Sequence, residues 1–304
     1  MTPDTYTIQE TFLEVGDGHT LYIQEWGNPS AKTTILFLHG GPGGSSQDKH
    51  KGVFDPLRHR VVFFDQRGSG KSLPYGSIDH NTTQDQIADI NKVADHLRLK
   101  KFILKGGSWG SCLALAYGIA HPDRVLAMVL DGIWTGSKEE TDYVDKGEFR
   151  KYFPEVWEHY LEATPPEHQS DPSAYHFKRI VGSDAAASKQ SGYAYETLEG
   201  SLMALDDRHT AETFEDFDPA GVRIEVHYLL NQLFLPDHFI LDNAHKLTMP
   251  IWLIQGRYDA VCPPITAYML AKKLPHATLL WSINGHKADH ESWNLQRTIL
   301  AQWS

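Results

Sequence analysis

The chain has 304 residues, of which 41% are hydrophobic, and its net charge at neutral pH is −11. This length suits one large α/β domain, or a core domain with a second domain inserted into it. The acidic balance argues against binding to nucleic acid or to an anionic membrane, because both are negatively charged. We therefore expect no nucleic-acid partner and no membrane partner, whereas a cationic ligand is compatible with the charge.

Three features of the sequence bear on its cellular compartment. Residues 1–6 lack the basic start and the apolar run of a signal peptide. No apolar stretch approaches the length of a membrane span. The two cysteines, Cys112 and Cys262, lie far apart and form no Cys-x-x-Cys motif. We expect a reducing, cytoplasmic environment.

The first half of the chain alternates predicted strands with predicted helices. Alternating polar and apolar residues predict an antiparallel strand at 20–26. Continuous apolar runs predict strands that are buried on both faces at 34–38, 60–64, 101–104 and 125–130. Helical spacing is found at 87–97 and 111–118. This alternation predicts a mostly parallel sheet flanked by helices.

The pattern changes near residue 136. From 136 to 242 the chain is richer in charge, tyrosine and helical spacing, and it lacks buried-strand runs. Predicted strands resume at 250–255 and 278–283, and a final helix is predicted at 290–303. We therefore predict a catalytic core made of residues 1–135 and 243–304, with residues 136–242 inserted as a helical cap.

Residues 106–110 read Gly-Gly-Ser-Trp-Gly and fit the G-x-S-x-G pattern of a nucleophile elbow. In such an elbow a serine sits on a tight turn between a strand and a helix, and the glycines make room for neighbouring backbone. The predicted strand and helix lie on either side of this segment. Ser108 is therefore the candidate nucleophile.

A serine nucleophile needs a base, and the base needs a group that orients it. Asp259 follows the predicted strand 250–255, and His286 follows the predicted strand 278–283. The carboxyl ends of parallel strands meet at one edge of a sheet, and the order Ser, Asp, His along the chain is the one that α/β-hydrolases use. We predict that Ser108 attacks a carbonyl, that His286 takes its proton and that Asp259 orients His286.

Other roles for these residues remain open. Asp259 alone is compatible with capping a turn, His286 is one of 17 histidines, and His290 is a rival base. A metal site built from His286, Asp289 and His290 is a further alternative, because residues i and i+4 face one way on a helix. No H-E-x-x-H motif and no second ligand cluster accompany it. We expect neither a metal nor another cofactor.

A glycine-rich segment, His-Gly-Gly-Pro-Gly-Gly at 39–44, follows the predicted strand 34–38. A loop in this position supplies one oxyanion-hole N–H, here from Gly41, and the residue after the nucleophile, Trp109, supplies the other. A phosphate-binding loop is the alternative, but the segment lacks G-x-G-x-x-G spacing. Residues 68–72 also fail the P-loop pattern, since Asp65 occupies the position of its first glycine.

With these residues identified, the chain resembles the proline iminopeptidases of the α/β-hydrolase superfamily from about residue 13 to its C-terminus. The matching motifs lie at 15–22, 39–44, 65–72, 81–83, 106–111, 255–259 and 285–286. The resemblance implies an α/β-hydrolase fold with a mostly parallel sheet and an inserted helical cap. The Asp-Gln-Arg-Gly segment at 65–68 is predicted to be structural, with Arg67 bracing neighbouring loops.

The resemblance also implies that two cap glutamates, Glu199 and Glu225, hold the free N-terminal amine of the substrate. Two carboxylates that converge on an ammonium would compensate its desolvation and place the first carbonyl against Ser108. The alternative is that each glutamate is a solvated helix residue, which is the default in so acidic a chain.

Four aromatic positions depart from the family's usual pattern. The cap motif Ala-Trp-x-x-Trp-Glu reads Ala-Tyr-Glu-Thr-Leu-Glu at 194–199, which places Tyr195 at the first tryptophan position. Leu229 replaces a common aromatic residue, and Trp134 stands where phenylalanine is usual. These positions are expected to shape the pocket for the first side chain of the substrate. These departures leave a specificity broader than proline open as an alternative.

We expect a serine aminopeptidase that releases an N-terminal residue, preferably proline, from short peptides with a free N-terminus. An aminopeptidase of broader specificity, an esterase, lactonase or amidase on the same fold, and a non-catalytic binding scaffold remain alternatives. The sequence does not indicate the oligomeric state.

Overall fold

A computed structural model describes residues 6–205 and 213–303. In these two ranges the strands are β1 Thr7–Gly16, β2 His19–Gly27, β3 Thr34–Leu38, β4 Arg60–Phe64, β5 Phe102–Ser108, β6 Val125–Ile133, β7 Ile251–Gly256 and β8 Thr278–Ser282. The helices are α1 Thr83–His96, α2 Trp109–Ala120, α3 Lys138–Asp145, α4 Pro154–Glu162, α5 Pro172–Ile180, α6 Ala185–Leu202, α7 Ala220–Leu230, α8 Phe239–Asn243, α9 Pro264–Lys273 and α10 His290–Leu300.

The strands form one eight-stranded sheet in the order β1-β2-β4-β3-β5-β6-β7-β8. Strands β3 to β8 run parallel to one another, while β2 is antiparallel to both β1 and β4. All five residues of β3 are buried, as expected for a strand covered on both faces. The predicted fold class, a mostly parallel sheet flanked by helices, is confirmed.

Apolar side chains fill both faces of the sheet. One cluster packs β3 and β5 against α1 and α2 and includes Leu104 and Leu113. The cluster on the opposite face includes Ile103 and Ile299, the latter from α10. Because successive residues of a strand point to opposite faces, Ile103 and Leu104 belong to different clusters.

Between β6 and β7 the described part of the chain contains helices α3 to α8 and no strand. Five of these helices, α3 to α7, contribute to an apolar cluster of their own, which includes Phe149, Ile180 and Tyr195. Since β6 and β7 are paired neighbours in the sheet, this helical segment leaves and re-enters the core between adjacent strands.

Two predicted elements need correction. Helix α1 begins at Thr83 rather than at residue 87, because Thr82 forms a capping box with Asp85. The backbone N–H of Thr82 donates to the Asp85 carboxylate over 3.0 Å, and the N–H of Asp85 donates to the Thr82 hydroxyl over 3.2 Å. The edge strand β1 was not predicted; most of its residues are exposed, so it lacks a buried apolar run.

Arg67 joins the turn after β4 to two other segments. Its buried guanidinium donates from Nε to Asp89 of α1 over 2.6 Å and from Nη1 to the carbonyl of His80 over 2.7 Å. These contacts agree with the predicted structural role of residues 65–68.

Candidate active site

Ser108 is the last residue of β5, and α2 begins at the next residue. Its φ of 55° is unusual for a residue other than glycine and marks a sharp turn. A Cβ atom added to Gly106 would lie 2.3 Å from the carbonyl oxygen of Gly110, and one added to Gly110 would lie 2.2 Å from that of Leu38. Both positions therefore require glycine, as the elbow pattern predicts.

The structure brings His286 and Asp259 together at the carboxyl end of the sheet. The Nδ1–H of His286 donates to the Asp259 carboxylate, with distances of 2.9 Å to Oδ2 and 3.1 Å to Oδ1. This bond fixes the ring orientation and leaves Nε2 available to another partner. Burial opposes a charge on His286, but the Asp259 carboxylate overcomes it and raises the pKa of His286 well above its ordinary value.

Asp259 is held by groups from three further residues. Its Oδ1 accepts from the backbone N–H groups of Val261 and Cys262, over 3.0 and 2.7 Å. Its Oδ2 accepts from the side-chain amide of Gln255 over 3.1 Å. The same amide group of Gln255 accepts from the backbone N–H of Ile133 over 2.8 Å. Gln255, which sequence reasoning did not identify, therefore ties the aspartate to the end of β6.

Gly132 lies between His286 and the elbow. A Cβ atom at Gly132 would lie 3.1 Å from His286 Cε1 and 3.6 Å from the backbone nitrogen of Ser108. Ser108 and His286 also line the same open cleft of about 590 Å³. The rival base, His290, is exposed at the start of α10, where it contacts the Asn294 amide at 3.2 Å.

The glycine-rich loop after β3 packs against the elbow. A Cβ atom at Gly40 would lie 3.3 Å from the Cβ of Ser108. Gly41 has a φ of 111°, and a Cβ atom there would lie 2.6 Å from the nitrogen of Gly44, so only glycine fits. Gln66 connects this loop to the elbow, since its amide donates to the carbonyl of His39 over 3.0 Å and accepts from the Trp109 indole over 2.8 Å.

One narrow recess, of about 30 Å³, opens beside Ser108 under the helical segment. Seven residues predicted for the site line it together: Gly41, Ser108, Trp134, Tyr195, Glu199, Glu225 and Leu229. The lining also includes residues that sequence reasoning missed, among them Val144, Asp145, Val261 and Cys262. The position of Cys262, three residues after Asp259, could have indicated that it lies near the site. No sequence pattern indicated Val144 or Asp145.

Glu199 of α6 and Glu225 of α7 meet in the recess. Burial raises the pKa of both carboxyl groups, and the charge of Glu199 raises that of Glu225 further. The charge of the nearby His286 and an interaction with Glu225 both act to lower the pKa of Glu199. Burial and the neighbouring carboxylates also raise the pKa of Asp145 to about 8. The recess concentrates buried acidic groups, which a bound cation would stabilise.

His286, Asp289 and His290, the residues of the alternative metal site, each have other contacts. Asp289 caps α10 by accepting from the backbone N–H of Ser292 over 3.0 Å, and His286 is bonded to Asp259. Among the residues that the structure describes, no group of three or more His, Cys, Asp or Glu side chains could hold a metal ion.

No helix within the described ranges is both long and apolar enough to cross a bilayer.

A family model described as the α/β hydrolase fold matches residues 33–288, which defines the class of protein. A proline iminopeptidase of Xanthomonas citri is 39% identical over 293 residues, which cover 94% of this chain and 93% of the relative. The proline iminopeptidase of Arabidopsis thaliana is 39% identical over 282 residues, or 88% and 72% of the two chains. The chain therefore belongs to the proline iminopeptidase family of α/β-hydrolases, which confirms the resemblance seen in its motifs.

Solved structures agree on the fold. A crystal structure of proline iminopeptidase from Mycobacterium smegmatis superposes with a TM-score of 0.65 at 18% identity, covering 97% of both chains. An esterase from Exiguobacterium antarcticum superposes with a TM-score of 0.62 at 19% identity, covering 97% and 99%. Since this fold carries both activities, the fold alone does not choose between them.

Proposed function

We propose that the protein is a serine aminopeptidase that releases an N-terminal residue, preferably proline, from short peptides. The observation that carries this proposal is that Ser108, Glu199 and Glu225 line one narrow recess. In this proposal the core, residues 1–135 and 243–304, performs the chemistry. The cap, residues 136–242, selects substrates by their free amine.

Binding begins with the amine. An N-terminal ammonium that enters the recess meets Glu199 and Glu225, two carboxyl groups whose burial already raises their pKa values. The cation favours the ionised form of both groups and repays their desolvation. Ordinary peptide bonds within a longer chain carry no such charge. The glutamates thus admit only the first residue and hold its carbonyl beside Ser108.

Acylation follows from the proposed triad. Ser108 Oγ attacks the carbonyl carbon of the first residue while His286 Nε2 takes the hydroxyl proton. Asp259 stabilises the resulting imidazolium through the Nδ1–H bond of 2.9 Å. The tetrahedral intermediate then expels the amine of the second residue, which receives the proton from His286.

Deacylation repeats these steps with water as the nucleophile. Water attacks the ester formed with Ser108, His286 takes one of its protons, and the free N-terminal residue leaves as Ser108 regains its hydrogen. In both stages we assign the backbone N–H groups of Gly41 and Trp109 to the developing oxyanion. The Gln66 bridge between Trp109 and the loop after β3 supports this assignment, because it fixes both segments relative to each other.

Trp134, Tyr195 and Leu229 are proposed to contact the first side chain. All three line the recess, and the first two are buried. Apolar and aromatic side chains at this side of the recess suit the flat ring of proline. Leu229 stands at a position that is commonly aromatic in the family, and Tyr195 stands at a tryptophan position. These differences support a second candidate function, an aminopeptidase that also accepts other small N-terminal residues.

The proposed setting is the cytoplasm. The free, buried thiols of Cys112 and Cys262 are compatible with a reducing compartment.

Hydrolysis of Pro-β-naphthylamide, compared with its N-acetylated form, tests the proposal. We expect turnover of the free amine and a loss of at least about 100-fold on acetylation, because two charge-assisted contacts disappear. Equal rates would contradict the amine-binding role of the cap. An aminoacyl-naphthylamide panel then separates a strict proline preference from a broader one. Stoichiometric labelling of Ser108 by a fluorophosphonate, absent in Ser108→Ala, excludes a non-catalytic scaffold.

A further inference from the structure

We propose that the enzyme recognises the C-terminal carboxylate of its substrate as well as the N-terminal amine, and therefore prefers dipeptides and tripeptides. This inference rests on the proposed aminopeptidase function. It comes from a second pocket of about 240 Å³ beside the elbow, which also contains Ser108 and His286. We call it the basic pocket, because Lys49, Lys105 and Lys287 line it against one acidic residue, Asp131.

The other two cavities that reach Ser108 have the reverse charge. The recess and the open cleft together are lined by six acidic residues and by no lysine or arginine: Glu140, Asp145, Glu196, Glu199, Asp218 and Glu225. Ser108 therefore lies at the boundary between an acidic region and a basic one. A short peptide zwitterion, with an amine at one end and a carboxylate at the other, has the complementary charge distribution.

Two lysines of the basic pocket are available to a ligand. Lys105 is buried and forms an ion pair with Asp131, so this pair is internally compensated. Lys49 and Lys287 are exposed and form no ion pair with any residue of the ranges 6–205 and 213–303. These two ammonium groups supply the net positive charge that a carboxylate would meet.

His50 adds a neutral donor to the same pocket. Its Nδ1 accepts from the backbone N–H of Gln47 over 3.0 Å, so the ring proton resides on Nε2. Burial, with the nearby charge of Lys49, lowers the pKa of His50 to about 4, which keeps the ring neutral near pH 7. The imidazole thus contributes an N–H group without a competing charge.

The direction of the leaving group selects this pocket. Once the first residue fills the recess, the remaining peptide must pass close to His286, which protonates the departing amine. Both the basic pocket and the acidic cleft touch His286. A terminal carboxylate is repelled by the cleft and attracted by Lys49 and Lys287. Each additional residue moves that carboxylate by up to ~3.3–3.6 Å, so the attraction decreases in longer peptides.

The test compares Pro-Ala, Pro-Ala-amide and Pro-β-naphthylamide with the full-length enzyme and its Lys49→Gln/Lys287→Gln double variant. For the wild type we expect kcat/KM for Pro-Ala to exceed that for Pro-Ala-amide by roughly 3- to 10-fold, the effect of two exposed charge pairs. Added salt should reduce this preference, because it screens exposed charges. The double variant should lose the preference and keep its rates on the two substrates that lack a terminal carboxylate.

Two controls distinguish carboxylate binding from a general effect of removing lysines. Lys100→Gln removes an exposed lysine just before β5, at the opposite end of the strand from Ser108, and should leave the preference intact. An indirect effect of Lys287 on the adjacent His286 would change all three substrates alike. Equal wild-type kcat/KM for Pro-Ala and its amide would overturn the inference while leaving the aminopeptidase function standing. Absence of turnover on all three substrates would overturn both.

Discussion

The side-chain oxygen of Gln66 accepts a hydrogen bond of 2.8 Å from the indole N–H of Trp109, and its amide nitrogen donates to the carbonyl of His39 over 3.0 Å. Gln66, Trp109 and His39 are all buried. One side chain thus connects the residue after the nucleophile to the start of the glycine-rich loop. These are the two segments from which the oxyanion hole is proposed to form.

Gln66→Leu should therefore reduce kcat more than it raises KM. The leucine cannot bond to either segment, and a shift of about 1 Å in an oxyanion donor is enough to cost on the order of 100-fold in rate. Steady-state kinetics on Pro-β-naphthylamide measures the effect. Ser69→Ala, which changes a buried side chain in the same turn, serves as the control. A change confined to KM would contradict a role in positioning the oxyanion donors.

Glu225→Gln and Glu199→Gln should each lower kcat/KM for free-amine substrates by about 10- to 150-fold, the value of one hydrogen bond to a charged group. Hydrolysis of a simple ester without an amine, such as p-nitrophenyl acetate, should change little. Glu139→Gln, on the exposed side of α3, is the matched control. Equal losses on the ester and the amine substrate would indicate general damage to the site instead of lost amine binding.

The activity should fall as the pH is lowered through the pKa of His286, because the imidazolium cannot accept the proton of Ser108. Asp259 raises this pKa, so the acid limb of the kcat/KM profile should lie above pH 6.5, the ordinary value for histidine. Asp259→Asn should shift that limb to lower pH and reduce kcat by about 10⁴-fold. The wild-type and Asp259→Asn profiles are measured with the same substrate, so titration of the substrate amine does not contribute to the shift between them. An unshifted limb would contradict the assignment of the titrating group.

Arg67→Met should lower the free energy of unfolding by about 3–5 kcal/mol, because it leaves the fully buried carboxylate of Asp89 without its main partner. Urea denaturation measures the change. The double variant Arg67→Met/Asp89→Leu should recover part of the loss, since no buried charge remains. Lys138→Met, which breaks an exposed ion pair with Asp142, should cost less than about 1 kcal/mol. A similar small cost for Arg67→Met would contradict the bracing role.

The parts of the fold that the sequence predicts are those that a local pattern determines. The strands buried on both faces appear as continuous apolar runs, and β3 and β4 have the predicted bounds. The edge strand β1 was not predicted, because most of its residues are exposed and form no continuous apolar run. The start of α1 could have been found, since Thr82 and Asp85 have the spacing of a capping box.

The candidate site divides in the same way. Ser108, Asp259 and His286 each follow a strand, so local patterns and chain order locate them. The supporting contacts join distant segments: Gln66 and Trp109 are 43 residues apart, and Gln255 and Ile133 are 122 residues apart. Asp145 of α3 lines the recess together with Glu199 of α6 and Glu225 of α7, which lie 54 and 80 residues further along the chain. No spacing rule along the chain encodes these contacts.

Helices α3 to α8 begin and end at neighbouring strands of the sheet, β6 and β7. Adjacent strands are about 5 Å apart, so the sheet constrains this segment only by requiring its two ends to lie close together. Its interior can change in length and composition without altering any strand register. Tyr195 and Leu229, which depart from the family pattern, both lie within it. Under the role proposed for this segment, substrate preference can diverge in evolution, or be exchanged between relatives as a module, while Ser108 and His286 stay in place.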